Sequence, residues 1–300
     1  MAAEAHAVSE SKTSYLAWSR EGRAGIGRYL ITAVVMVVVF FVVAGLLSAL
    51  PVVFLQIAAP DFDHSDLGRN IRLFLPFLFA FVLIPLVVKA AHGRPGWSVA
   101  LPTRRIPYGD LFTGFGVAIA VSIVMSIVLH VTGLYELDYV GIDWSKWLLV
   151  AAVTAPLILI QASAEEMLFR GYLTQLVRSL TDRPVLFVSI PAVLFSIPHI
   201  ANIDEFGGSI TALLPYFLSG LLYGWAAWRS GSLLLGAGLH WANNLGGELL
   251  FGVEGDVIQT VAPWIGDIPS LAIVTALTGL NALLTVAVLE ILMRRQAGRP

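Results

Sequence analysis

LLVAAVTAPLILIQASAEEMLFRGYLTQL, residues Leu148–Leu176, is apolar for longer than a bilayer crossing needs, yet its second half carries Glu165, Glu166 and Arg170. About 20 apolar residues span the hydrocarbon core, so the run reads as a transmembrane helix. Pro156 predicts a bend in it, because proline removes one donor from the helical ladder. An ionisable side chain at the bilayer centre costs roughly 2.5–3.5 kcal/mol on the insertion scale. Such groups persist there when they pair, line a wet cavity or do chemistry.

The same hydropathy recurs on both sides of this stretch. Tyr29–Phe54, Ile71–Val88, Leu111–Val131, Val185–Ile200, Ile210–Trp228, Leu233–Phe251 and Leu271–Met293 are further candidate spans. The first is too long for the core of a signal peptide and reads as an uncleaved helix. The expected fold is therefore all-α: a polytopic integral membrane helical bundle of about eight transmembrane helices. It divides into a polar cytoplasmic tail (1–28), a transmembrane domain (29–293) and a short basic cytoplasmic tail (294–300). Of 300 residues, 57% are hydrophobic and 13% charged, about half the charge of an average soluble domain, and the mean hydropathy is +0.82. Cysteine is absent, which removes disulfides, thiolate metal sites and cysteine nucleophiles. No basic block exists that could bind nucleic acid.

Loop charge tests the helix count. With the N-terminus cytoplasmic and the spans alternating, the opposite side holds only Arg69, Arg72 and Lys146 among the 18 Lys and Arg. The basic residues Arg20, Arg94, Arg105, Arg178, Arg183, Arg229 and Arg294 all fall on the cytoplasmic side. The opposite loops are acidic, with Asp61, Asp63, Glu136, Asp138, Asp143, Glu254 and Asp256. This asymmetry predicts both termini in the cytoplasm. A bacterial plasma membrane is the expected location, and an endoplasmic-reticulum membrane would satisfy the same charges. Gly220 and Gly224 stand one turn apart, a spacing that ordinary glycine use in membrane helices also explains.

Three polar motifs fall on three different spans. Glu166 and Arg170 are four residues apart and can pair within their helix. Glu165 points about 100° away, toward the bundle interior, as a reactive carboxylate or as a protonated one bonded to a backbone carbonyl. His199 closes Phe195-Ser-Ile-Pro-His199. His240 and Asn244 share one helical face, where asparagine offers a donor that cannot ionise. Glu248 continues that face and reads as structural, and His6, His64, His92 and His130 lack polar companions. Amide hydrolysis needs a base for water, a proton for the leaving amine and donors for the oxyanion, and these residues can supply them. Glu165, His199 and His240 also make an accepted two-His, one-Glu zinc set, although no H-E-x-x-H helix exists. Ser163 and Ser196 lie nearby without a G-x-S-x-G elbow.

The set E-E-x-x-x-R (Glu165, Glu166, Arg170), F-x-x-x-H (Phe195, His199) and H-x-x-x-N (His240, Asn244), within about residues 147–250, resembles the CAAX-protease and bacteriocin-processing family. Its members are also called Abi-type intramembrane proteases. The resemblance implies a membrane bundle that cleaves a peptide or lipidated-protein substrate near the cytoplasmic surface. Eukaryotic relatives remove the last three residues of prenylated proteins; bacterial ones are linked to bacteriocin maturation or self-immunity. Carried over, Glu165 and His199 activate water, His240 and Asn244 stabilise the oxyanion, and Glu166 and Arg170 buttress them. Family members are labelled metalloproteases, which keeps zinc open as a cofactor. Two other classes compete: a non-catalytic membrane scaffold on the same fold, and a proton-coupled transporter, which would show paired halves that this sequence lacks. One tension stands. His199 lies about 15 residues, or roughly 22 Å, from the cytoplasmic start of its span, whereas Glu165 and His240 lie nearer that surface. The three meet only if the fifth helix is short, sunken or broken near Pro191 and Pro198.

Overall fold

A computed structural model describes residues 14–58, 65–206, 208–253, 260–267 and 270–297. His6, His64, the loop acids Asp61, Asp63, Glu254 and Asp256, and the outer parts of both expected tails (1–13 and 298–300) lie outside them. Among the described residues nine α-helices follow one another: α1 (Ile26–Ala58), α2 (Asp66–His92), α3 (Tyr108–Val131), α4 (Trp144–Glu166), α5 (Thr174–Leu180), α6 (Pro184–Ser196), α7 (Leu214–Ser230), α8 (Leu234–Leu249) and α9 (Leu271–Ala297). α4 and α5 form one continuous rod through a π-helical turn at Met167–Leu173. Among the described residues six helical stretches are long and apolar enough to cross a membrane. α1 is apolar over the shorter stretch Ile26–Phe40, and α8 is a 16-residue helix, so six rather than the expected eight stretches meet the length and hydropathy of a crossing among the described residues.

The lengths follow from local chemistry. Ser65 and Asp143 cap α2 and α4 by accepting backbone N–H groups of the first turn. The Ser145 hydroxyl, followed by the Lys146 and Ser145 N–H groups, holds the Asp143 carboxyl below the usual carboxylate range. Gly93 and Gly231, both left-handed, end α2 and α7. Pro156 sits inside α4 without ending it. The departure from α-helical pairing comes later, at the π turn, where the Thr174 hydroxyl donates to the Phe169 carbonyl five residues back.

The outer faces are apolar, with Ile31, Val34, Val124 and Leu283 more than half exposed, while Glu166, Arg170, Gln175 and Glu248 are fully buried. That distribution suits a hydrocarbon surround with the polar groups turned inside. The chain is an integral membrane helical bundle.

α8 runs at the centre, packed along α3 and flanked by α4 and α7. The α3–α8 approach depends on missing side chains: a Cβ on Gly238 would lie 2.0 Å from the Leu111 carbonyl oxygen, and one on Gly114 2.3 Å from that of Leu235. Gly220 and Gly224 also have a packing role beyond ordinary usage. The α6 backbone and Val188 lie against them, with Ala192 Cα 3.0 Å from a Cβ at Gly220.

The loops separate to two ends. At the basic end, the 3-10 segment Tyr15–Arg20, the segment Gly96–Val99 and the turns before α6 and α8 meet. Tyr15 N–H donates to Gly231 O, Leu233 N–H to Ala100 O, and Arg20 pairs with Asp182. The Arg229–Glu290 ion pair brings the last turns of α9 to this same end. At the acidic end a small sheet ties the loops, ordered β1 (Asp138–Tyr139), β3 (Trp264–Gly266), β2 (Phe251–Val253), with Asp138 and Gly252 both opposite Ile265.

The polar N-terminal segment is no free tail over its described part. Tyr15 is fully buried: its hydroxyl donates to the Arg170 carbonyl, and burial pushes its phenol well above the ordinary value. Gln175 donates to both Tyr15 O and Ser98 O, and Arg94 reaches Gln175 and the Trp18 carbonyl. His92, expected to lack polar company, is buried between the Tyr172 hydroxyl at 2.8 Å and the Arg23 carbonyl at 3.1 Å.

Candidate active site

The depth problem posed by His199 is resolved by two features of chain geometry. The rod carrying Glu165 runs on to Leu180, and α6 stops at Ser196 and continues as a 3-10 segment, Ile197–Phe206, at Pro198. Glu165 and His199 therefore stand equally far, fifteen residues each, from the turn joining Leu180 to Pro184. They climb from that turn by roughly 22 Å each and reach the same level. His240 meets them because α8 starts deep, its leading residues Ser232 and Leu233 buried beneath the basic-end segments.

His240 is the hub. Its Nδ1 lies 3.1 Å from Glu166 Oε1, and its Nε2 lies 3.6 Å from Glu165 Oε2. Arg170 Nη1 donates to the same Glu166 oxygen at 3.0 Å, with both side chains buried. The ionised Glu166 only accepts, so Nδ1 of His240 carries a hydrogen. A neutral His240 then presents a lone pair at Nε2; an imidazolium presents a second N–H there. Glu165 and Glu166 flank the ring. The 3.6 Å gap is too long for a hydrogen bond, yet both atoms can sit about 2.8 Å from one shared oxygen.

Aromatic rings fix these groups. Tyr223 stacks on His240 at 4.8 Å and 14°, and Phe195 meets His240 edge-on. The Arg170 guanidinium lies 4.0 Å over Phe195, a desolvated cation–π contact of the kind worth about 2 kcal/mol. Gly236 admits Glu166: a Cβ there would lie 3.2 Å from Glu166 Oε2.

His199 stacks on Tyr216 at 3.9 Å, and its Nδ1 lies 3.0 Å from the Phe195 carbonyl oxygen. A carbonyl only accepts, so Nδ1–H donates to it and Nε2 keeps its lone pair. Glu165, His240 and Arg170 are the charged or titratable side chains that act on it electrostatically. Asn244 Nδ2 donates to Gln161 Oε1 at 3.0 Å, and Asn243 Nδ2 reaches Asn244 Oδ1 at 3.4 Å.

Glu165, Glu166, Arg170 and Phe195 thus gather around His240, Phe195 also meets His199, and Asn244 contacts Gln161 and Asn243 instead. Gln161, one turn before Glu165, and the rings Tyr216 and Tyr223 were not singled out in the sequence. The Gln161–Glu165 spacing was the available signal; the tyrosines offered none. Glu248 lies apart, fully buried, accepting from Asn70 at 2.6 Å and Thr154 at 2.5 Å, and so ties α8 to α2 and α4. The Ser196 hydroxyl donates to the Val193 carbonyl. Among the described residues no group of three or more His, Asp or Glu side chains is arranged to hold a metal ion.

A family profile described as type II CAAX prenyl endopeptidase Rce1-like matches residues 143–246, which hold all three motifs. The uncharacterized protein YyaK of Bacillus subtilis (strain 168) is 31% identical over 238 residues, covering 75% of this chain and 78% of that protein. No solved structure matches. The chain belongs to the Rce1-like group of the CAAX-protease and bacteriocin-processing family, membrane-embedded proteases of the CAAX type.

Proposed function

We propose that this protein is an intramembrane endopeptidase that hydrolyses a peptide bond at the cytoplasmic side of a bacterial plasma membrane. The substrate class is a CAAX-type or peptide-processing one. The observation that carries the reading is the 3.6 Å gap between Glu165 Oε2 and His240 Nε2, with His199 in electrostatic reach of both and Asn244 one turn along α8 from His240.

A water bound there gives one proton to the Glu165 carboxylate while its oxygen attacks the scissile carbonyl carbon. The lone pair on His199 Nε2 orients that water. The developing oxyanion is met by the His240 imidazolium and the Asn244 amide, a task worth roughly 10²–10³ in rate per donor. The proton then passes to the leaving amine as the C–N bond breaks. Glu166 and Arg170 hold His240 in place. The test is C-terminal peptide mapping of membrane proteomes from wild-type and Glu165→Ala cells. At least one wild-type product should revert to its uncleaved form, and identical maps would overturn the assignment.

Orientation follows from the loop charges, with both termini cytoplasmic. Reporter fusions after Arg94 and after Arg183 should report cytoplasm, and fusions near Asp63 and Glu254 the opposite side. Asp63 and Arg94 landing on one side would refute it.

The donor role for His240 requires no metal. Purified protein is expected to carry no stoichiometric zinc at the site, and activity to survive moderate chelation. Elemental analysis finding one zinc per chain, lost in both His199→Ala and His240→Ala, would replace this mechanism with a metalloprotease one.

A further inference from the structure

The π turn that follows Glu166 is held partly from outside its own helix. Two consecutive carbonyls of the turn accept from hydroxyls: Phe169 O from Thr174 at 3.1 Å, and Arg170 O from Tyr15 at 2.8 Å. Thr174 belongs to the rod itself. Tyr15 comes from the N-terminal segment, 155 residues earlier, and is fully buried. Single π turns inside α-helices are rare and recur at functional sites.

Each polar group of Tyr15 holds a different part of the bundle. Its hydroxyl holds Arg170. Its carbonyl accepts from Gln175 Nε2 at 3.0 Å, farther along the same rod. Its N–H donates to Gly231 O at 2.9 Å, in the turn that leads into α8. Its ring belongs to one buried apolar cluster with Met167, Tyr172 and Leu176 of the rod and with Leu233 at the head of α8. The rod carries Glu165, Glu166 and Arg170, and α8 carries His240. One residue thus bridges the two helices whose relative placement sets the His240 contacts.

Arg170 Nη1 and His240 Nδ1 meet on one oxygen, Glu166 Oε1, at 3.0 and 3.1 Å. Glu166 is the last α-helical residue before the turn and Arg170 stands inside it, so their pairing spans the turn. We propose that Tyr15 is a positioning residue: by clamping the π turn to the head of α8, it sets the Glu166–Arg170 pair against His240. Without that bond the turn relaxes toward α-helical pairing, which rotates Arg170 against Glu166 and shifts the carboxylate that fixes the imidazole. The proposal rests on the protease reading for its purpose, though not for its first readout.

The chain has six histidines, so nitrogen-15 histidine labelling of the full protein in nanodiscs gives few signals, and His240→Gln identifies one. His240 is 4% exposed and its Nδ1–H is bonded to Glu166, so that proton should exchange slowly. Tyr15→Phe keeps the ring and deletes the bond to Arg170 O. Exchange of the His240 proton should then quicken about tenfold, because exchange follows local opening. The control is Tyr29→Phe, a fully buried tyrosine whose hydroxyl donates within the segment, to the Ser19 carbonyl at 3.1 Å. It should lower the unfolding temperature comparably and leave the His240 proton as in wild type. On the substrate recovered by proteome mapping, kcat of Tyr15→Phe should fall about tenfold with KM unchanged, since a misplacement of about 1 Å can cost about 10²-fold.

A His240 proton unmoved by Tyr15→Phe, or moved as far by Tyr29→Phe, would overturn the proposal. So would wild-type kcat beside a quickened proton. If Tyr15→Phe does not accumulate, Thr174→Val makes the test from inside the rod by removing the donor to Phe169 O. A quickened proton there supports the clamp, and an unchanged one removes it. Because the proton reads no cleavage, the two ideas fail separately. Quickened exchange beside unchanged proteomes in Glu165→Ala cells would keep the clamp and remove the protease; changed proteomes without quickened exchange would do the reverse.

Discussion

Glu165→Gln should abolish cleavage while leaving the protein at its normal abundance and thermal stability. The substitution preserves shape and a hydrogen-bonding oxygen opposite His240, and removes only the capacity to take a proton from water. General base catalysis by a positioned side chain contributes roughly 10²–10⁴ in rate, which sets the expected minimum loss. The fold should tolerate the change because Glu165 keeps a partly exposed side chain, 17% accessible, and is not the ion-pair partner of Arg170. The pertinent measurements are single-turnover cleavage of a substrate identified by proteome mapping, and the unfolding temperature of the purified variant. Wild-type cleavage by Glu165→Gln would remove this residue from the chemistry. Lost cleavage with an equally lost fold would reassign it to structure.

The contrast between Glu165 and Glu166 was visible in the sequence. Four-residue spacing joins Glu166 to Arg170, and any charge inside an apolar run demands a partner or a purpose. His240 and Asn244 were legible for the same reason of helical phase. The level of His199 was not. A hydropathy window records how apolar a segment is, but it does not show that the Glu165 helix overruns to Leu180 or that the α6 segment turns 3-10 at Pro198. Gln161 escaped because a neutral polar side chain in a membrane helix carries little signal by itself. The packing of the N-terminal segment was hidden for a related reason: its composition is polar, yet Tyr15 and Leu16 are buried in the bundle. Burial of that kind is decided by partners such as the Arg170 carbonyl and Gln175, which lie some 155 to 160 residues away in sequence. The glycine contacts of α3 and α8 were equally hidden, since nothing in the sequence identifies which backbone a missing side chain admits.

Arg170→Ala should lower abundance and stability far more than Glu165→Gln, because it strands a buried charge. Arg170 is 1% exposed, donates to Glu166 at 3.0 Å, and covers Phe195 at 4.0 Å. Its loss leaves Glu166, fully buried, with His240 Nδ1 as its remaining hydrogen-bond partner at 3.1 Å. Removing one partner of a buried pair costs roughly 3–5 kcal/mol, a large share of the 5–15 kcal/mol that holds a typical domain folded. Glu166→Gln should cost a similar amount by stranding Arg170 instead. The double change Arg170→Met with Glu166→Gln removes both charges and keeps apolar volume against Phe195. It should therefore be less damaging than the sum of the two single changes, since replacing a whole buried pair is often near neutral. Thermal unfolding in detergent and immunoblots of membrane fractions would measure all of these variants. The double variant should accumulate better than Arg170→Ala and still cleave poorly, because His240 no longer has the carboxylate that fixes its Nδ1 hydrogen. Additive losses would show that Glu166 and Arg170 contribute independently. Recovered folding with full activity would show that their pairing positions nothing in the reaction.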